Sequence, residues 1–250
     1  MSEANPGKEE RWLIGSYRPT SLFSLRMTHA TNKGGKTLLV PTPYSVKLAL
    51  IDACFRKYGA VDALSKATAV YEIVKARPVR FRPPAHCIVQ NTFIKIKQEE
   101  RGAPKGIYGP TIAYREFCYY QGELEVALGI SRLPDESIKE LADLLAQINY
   151  LGKRGSFIQF WGTQIQDGAL PKGYTCPEAQ ADIVNGGYGT THYLDDFGDV
   201  LIHEKDGFER INSYGTKPSA LGKYRVCIPT LLPYRYESSS KHYTYFRRIE

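Results

Sequence analysis

No apolar run in the sequence approaches the roughly 18 residues that a helical membrane span requires, so no membrane partner is expected. The N-terminal MSEANPGKEER lacks the apolar stretch of a signal peptide, which points to the cytosol, and residues 1–10 read as a disordered tail. Cysteine is sparse and badly placed for chemistry. Cys54, Cys87, Cys118, Cys176 and Cys227 are odd in number, scattered and free of any C-x-x-C pair, which argues against a disulfide framework and against zinc. They read as reduced core thiols. The five histidines are equally dispersed, and His86 and Cys87, as neighbours on a strand, face opposite ways. Neither a metal nor a cofactor is expected.

A further absence excludes an NTPase. The stretch ATNKGGKT at 30–37 matches G-x-x-x-x-G-K-[ST] except at its first position, where Ala30 replaces glycine. A P-loop must also run directly into a helix whose N-terminal amides hold phosphate. Here Pro41 and Pro43 follow, each fixing its own φ and biasing the preceding residue away from helix. The loop therefore leads into extended chain.

What is present is a one-sided positive charge. Residues 1–130 carry 19 Lys and Arg against 11 Asp and Glu, whereas residues 131–250 carry 14 against 15. That asymmetry points to a polyanion, most often nucleic acid.

Leu22–Met27 reads as a first strand, before the glycine loop. Thr42 as cap and Pro43 at the first helical position open a helix with Val46, Leu50, Ala53 and Cys54 on one face. A second helix is predicted over Val61–Ala76, presenting Val61, Leu64, Thr68 and Tyr71. Arg77–Pro84 reads as an extended basic connector and Cys87–Lys97 as a strand. Gln98–Pro110, rich in glycine, proline and charge, is a projecting loop. Ala113–Ile130 resumes strand character with a turn at Gln121-Gly122. Pro134, Asp135 and Glu136 open a helix striped by Ile138, Leu141, Leu145 and Ile148, ending near Leu151 where Gly152 stops it. Ser156–Trp161 is a last strand. The order predicts an α+β protein with a ferredoxin-like (RRM/RAMP) βαββαβ core, an elongated β-hairpin thumb at about 95–115 and a turn-rich C-terminal extension. The core is expected over residues 11–165, with 166–250 packed on or beside it.

Four stretches carry a family resemblance: FSLR at 23–26, PTPYSVKLALIDAC at 41–54, YREFCYYQGELEVALGI at 114–130 and LADLLAQINYLGKRGSF at 141–157. Together they resemble the Cas-five family of the RAMP superfamily, the CRISPR-associated subunit that holds the 5′ handle of the guide RNA in Cascade. The resemblance implies a noncatalytic RNA-binding subunit of a type I effector complex. Its implied partners are crRNA, the backbone RAMP subunits and large subunit of Cascade, and target DNA near the 5′ end of the guide. The long C-terminal third departs from the family, and the glycine-rich C-terminal loop of the repeat-cleaving Cas-six branch is not evident.

The residues give the same chemistry without it. Arg26, His29, Lys33, Lys36 and Lys47 crowd around Gly34 and Gly35, which let backbone approach phosphate closely. Tyr44 can stack a base or pack at the helix entry. On the thumb, Lys95, Lys97, Arg101 and Lys105 oppose Glu99 and Glu100, with Tyr108 near the tip. By resemblance this thumb reaches toward the adjacent backbone subunit. From Lys217 to Arg248, seven cations and several tyrosines meet Glu237 alone, either a second RNA surface or a cationic tail. The alternative function is a metal-independent endoribonuclease acting on repeat RNA, with His29, Tyr44 and Lys36 as the catalytic groups.

Overall fold

The computed structural model describes residues 10–30, 35–100, 102, 104–181, 189–212, 217 and 219–250. Lys33, Gly34 and Arg101 lie outside the described residues. The elements run β1 (Arg11–Pro19), α1 (Pro43–Val74), β2 (Val79–Arg82), β3 (His86–Glu99), β4 (Tyr108–Gln121), β5 (Leu124–Gly129), α2 (Asp135–Ala146) and β6 (Ile158–Asp167). The remainder is β7 (Cys176–Pro177), β8 (Thr190–Phe197), α3 (Asp199–His203), α4 (Gly207–Ile211), β9 (Arg225–Leu232), β10 (Tyr234–Ser239) and β11 (Tyr243–Arg248). The fold is mixed α+β with antiparallel sheets.

One sheet has the order β2-β5-β1-β6. Its first strand is β1, not the expected Leu22–Met27, which makes isolated bridges elsewhere, from Phe23 to Cys118 on β4 and from Arg26 to Thr37. Strand β1 is covered on both faces. Leu13 and Tyr17 join the helix-side core, while Trp12 and Ile14 pack with Ala127 and Tyr174 opposite. A strand buried on both faces reads as a continuous apolar run, so alternation could not reveal it. The Tyr17 hydroxyl donates to the Leu145 carbonyl at 2.9 Å, tying sheet to α2.

Helix α1 starts where its cap dictates. The Thr42 side chain accepts from Ser45 N at 3.1 Å, and Ser45 Oγ accepts from Thr42 N at 3.0 Å, closing a capping box ahead of Pro43. Val46, Leu50, Ala53 and Cys54 are buried as expected. At Gly59, φ of 68° and ψ of −175° interrupt the helix, a conformation that only glycine adopts without strain. In the second half, only Tyr71 of the expected face Val61, Leu64, Thr68 and Tyr71 is buried. Val61 is 92% exposed and Leu64 51%, while Ala63, Ala67, Val70, Tyr71 and Val74 are buried. The phase is set by Tyr71, whose ring meets Phe197 and Phe208 and whose hydroxyl donates to Leu201 O at 3.0 Å.

Two other boundaries differ. Helix α2 buries Ile138, Leu141 and Leu145 but ends at Ala146, before the expected Leu151. Gly152, at φ 91°, makes a separate turn against Phe23 and Ser24. The expected connector Arg77–Pro84 contains strand β2, whose Arg82 pairs with Glu125 at 2.9 Å.

A second sheet has the order β10-β11-β3-β4. The ladder of β3 and β4 continues to Glu99 opposite Tyr108, so the loop expected over Gln98–Pro110 shrinks to residues 100–107. Cross-strand pairs such as Lys95–Ile112 and Lys97–Pro110 carry the ribbon outward. The C-terminal chain returns to this sheet, with β11 pairing along β3 from His86 to Gln90. A third sheet, β7-β9-β8, packs on α1.

Candidate nucleic-acid interface

Where the β3–β4 arm leaves the core, the glycine loop is stitched to its edge. Gly35 N donates to Tyr114 O at 3.2 Å, and Glu116 N donates back to Gly35 O at 3.1 Å. Thr37 N donates to Glu116 Oε2 at 2.9 Å, and Leu38 N to Leu25 O at 2.8 Å. Amides committed in this way cannot cradle a nucleotide phosphate, and the next helix begins only at Pro43. Gly35 has a different reason to be glycine. A Cβ there would lie 2.7 Å from Arg115 Nη1, because the Arg115 side chain lies across it.

Around this seam the exposed cations collect. Arg26 and Lys36 are exposed, Arg26 bridging Thr37 and donating from Nη2 to Ala30 O at 3.0 Å. Half-buried Arg115 adds a third cation, and among the described residues its buried Nε has no hydrogen-bond partner. Nothing in the local sequence marks Arg115, which alternates with apolar and aromatic residues on β4. Only its bridge to Gly35 brings it to the loop. His29 is exposed and lies edge-on to Tyr193 with ring centroids 5.0 Å apart. Tyr193, 51% exposed on β8, arrives from 164 residues away in sequence and was equally invisible to local reading.

Lys47 does not belong to this surface. Its residue is 1% exposed, and Nζ lies 2.6 Å from Asp196 Oδ1 and 3.1 Å from Lys75 O. Burial pulls the ammonium below the usual lysine range and pushes the Asp196 carboxyl up, each opposed by the partner's charge. Lys47 has its partner 149 residues away, so the local sequence does not separate it from the loop cations. It clamps α1 to β8.

Tyr44 is half-buried, edge-on to Phe197 at 5.3 Å, with the Arg225 guanidinium 4.9 Å from its ring centroid. Asp195 gathers this corner. It accepts from Thr28 Oγ1 at 2.9 Å and from Arg225 Nε at 2.9 Å. Tyr44 and Arg225 also line a cleft of about 560 Å³ between α1, the 148–152 turn and α4. Of the three groups named for catalysis, His29 packs on Tyr193, Tyr44 packs on Phe197 and Arg225, and Lys36 is exposed.

On the arm, Lys95, Lys97 and Lys105 are exposed. They alternate with exposed apolar groups: Phe93, Tyr108, Ile112 and Tyr114 are each more than half accessible. The Phe93 and Tyr114 rings touch at 4.4 Å. A two-stranded ribbon with both faces in water is marginal alone, and this arm exposes apolar side chains on both its strands.

No protein-family model matches the chain. A CRISPR-associated protein Cas5 from Archaeoglobus fulgidus is 22% identical over 149 residues, covering 59% of this chain and 62% of that protein, so the match spans less than two thirds of the relative's length. Among solved structures, a CRISPR protein from Archaeoglobus fulgidus aligns over 96% of this chain and 92% of its own, at 10% identity and a TM-score of 0.47. A CRISPR RNA-guided surveillance complex aligns over 88% of each chain at 12% identity and a TM-score of 0.44. A type III-B Cmr-beta complex bound to cognate target RNA covers 64% and 62% at 12% identity and a TM-score of 0.42. Over its 149 matched residues the chain is similar in sequence to a Cas5 protein, the family that its own four motifs resemble.

Proposed function

We propose that the chain is a noncatalytic RNA-binding subunit of a type I CRISPR effector complex, holding the 5′ handle of the crRNA and capping the backbone filament. Its partners in this reading are crRNA, backbone RAMP subunits, the large subunit and target DNA near the 5′ end of the guide. In this reading the ferredoxin-like core is the unit β1-α1-β2-β5-α2-β6, supported by the strand order β2-β5-β1-β6 and by the arm β3–β4 inserted between β2 and β5.

The observation that carries the reading is the collection of Arg26, Lys36 and Arg115 at the root of that arm, beside the exposed His29–Tyr193 ring pair. Cations track a phosphate backbone and rings stack bases, the combination that single-stranded RNA requires. Lys33 and Gly34 are proposed to complete this face. The arm, with Lys95, Lys97, Arg101, Lys105 and Tyr108, is proposed to reach the neighbouring backbone subunit.

The test is a binding titration with repeat-derived RNA in EDTA, followed by gel analysis of the same samples. Intact RNA bound with salt-sensitive affinity is the expected result. Cleavage in EDTA that is abolished by His29→Ala would replace this reading with the endoribonuclease.

A further inference from the structure

Apart from Arg115, the outer face of the β10-β11-β3-β4 sheet carries none of the arm-root residues among the described residues. In antiparallel pairing, directly opposed residues share a face. The pairs Arg235–Arg247, Arg247–His86 and His86–Gln121 form one row across all four strands. The next row is Ser238–Tyr245, Tyr245–Ile88 and Ile88–Tyr119, and the third is Tyr243–Gln90 and Gln90–Phe117. Four rings therefore stand on one face in two adjacent rows, about 7 Å apart from two residues of strand rise. Tyr119 is 53% exposed and Tyr243 41%. The opposite face of the same strands, with Cys87, Cys118 and Tyr120, is core.

Charge accompanies the rings. Arg235 and Arg247 are exposed and both donate from Nε to Glu237 Oε1, at 2.6 and 2.8 Å, so one carboxylate is shared by two guanidinium groups. His86 Nδ1 lies 2.7 Å from the Tyr245 hydroxyl, which ties that ring to the neighbouring row. The Gln90 and Gln121 side chains share the face and offer amide donors and acceptors, groups of the kind that meet a ribose 2′-hydroxyl. One row further along, Arg115 opposes Thr92, which joins this face to the arm root.

We propose that this sheet face is a second single-stranded RNA platform, on which two or three bases stack against Tyr119, Phe117, Tyr243 and Tyr245 while Arg235 and Arg247 meet phosphate. A four-stranded sheet presenting aromatics between cations is the arrangement by which sheets stack unpaired bases. The cations complement a polyanion and carry no surplus carboxylate for a basic partner.

The test uses the full chain and fluorescein-labelled 12-nucleotide oligouridine and oligoadenine, as RNA and as DNA, read by anisotropy. Tyr119→Ala with Tyr243→Ala should weaken RNA binding at least tenfold, and Tyr119→Phe with Tyr243→Phe should stay within about twofold, because stacking survives loss of the hydroxyl. The salt slope of the alanine pair should be unchanged. Should the alanine pair melt early, Arg235→Gln with Arg247→Gln tests the same face through exposed side chains and should reduce the salt slope by roughly 1.4, at about 0.7 per phosphate. In the wild type, RNA carrying 4-thiouridine should crosslink to peptides covering 117–121 and 243–247. Wild-type affinity in a folded alanine pair overturns the proposal, as does a larger loss for DNA than for RNA. Loss of a backbone-subunit contact with RNA binding intact makes the occupant a protein and also overturns it. Crosslinks at the arm root alone leave the handle reading standing without this platform, and crosslinks on the sheet alone do the reverse.

Discussion

Two lysines eleven residues apart, Lys36 and Lys47, have opposite surroundings. Lys36 is exposed beside the arm root, while Lys47 is sealed between α1 and β8 against Asp196. Both sit in a stretch that reads as one basic cluster. A cation in water is available to phosphate and contributes little to folding; a cation under the surface is committed to its carboxylate and cannot bind anything else. Position in sequence does not separate them. The partner does.

The sharpest way to break this contrast is Lys47→Ala, which strands the Asp196 carboxylate in the seam. A loss of about 3–5 kcal/mol is expected by denaturant titration, whereas Lys47→Met with Asp196→Leu should recover most of it, since a well-packed apolar pair often replaces a buried ion pair without loss. If Lys47→Ala unfolds like the wild type, the clamp is not structural.

Acid probes the same sealed region. His192 on β8 is 8% exposed, and burial pulls its pKa down from 6.5 to about 4. The folded chain thus holds it neutral while the unfolded chain takes a proton below about 6.5. Its contribution is full above that pH and is lost as pH falls from 6.5 through 4, on the order of 3 kcal/mol in total. Stability measured from pH 7 to pH 4 should decline, and His192→Gln should flatten that decline.

The parts of the fold legible in the sequence are those whose causes are local. The Thr42 cap, the Ile138–Leu145 stripe, the Gly122 turn and the alternation along β3 each act within a few residues. What stayed hidden depends on distant pairing. Strand β1 carries no alternation because both its faces are covered, and the face of α1 after Gly59 is chosen by Phe197 and Phe208. Strand β11 exists because β3 offers it an edge some 155 positions earlier in the chain. The site divides in the same way. Arg26, His29 and Lys36 stand exposed where the loop reading placed them. Arg115, Tyr193 and the true role of Lys47 required the bridge to Gly35, the ring contact with His29 and the pair with Asp196.

On the exposed side of the comparison the expected effects on folding are small. Replacing residues 101–107 at the arm tip with a short Gly-Ser turn should change stability by no more than about 0.5 kcal/mol, because Gly102 and residues 104–107, the described part of the tip, are exposed. The same change should impair assembly with a backbone subunit in co-purification. Normal assembly, or an unfolded product, would remove the arm from the interface.

The most direct measurement is a salt titration of RNA binding by the wild type and by Arg26→Ala with Lys36→Ala, at matched thermal stability. Two lost phosphate contacts should flatten the slope of log K against log salt by roughly 1.4 and weaken binding at every salt concentration. An unchanged slope in a folded double variant would contradict the assignment of the arm root as the RNA site.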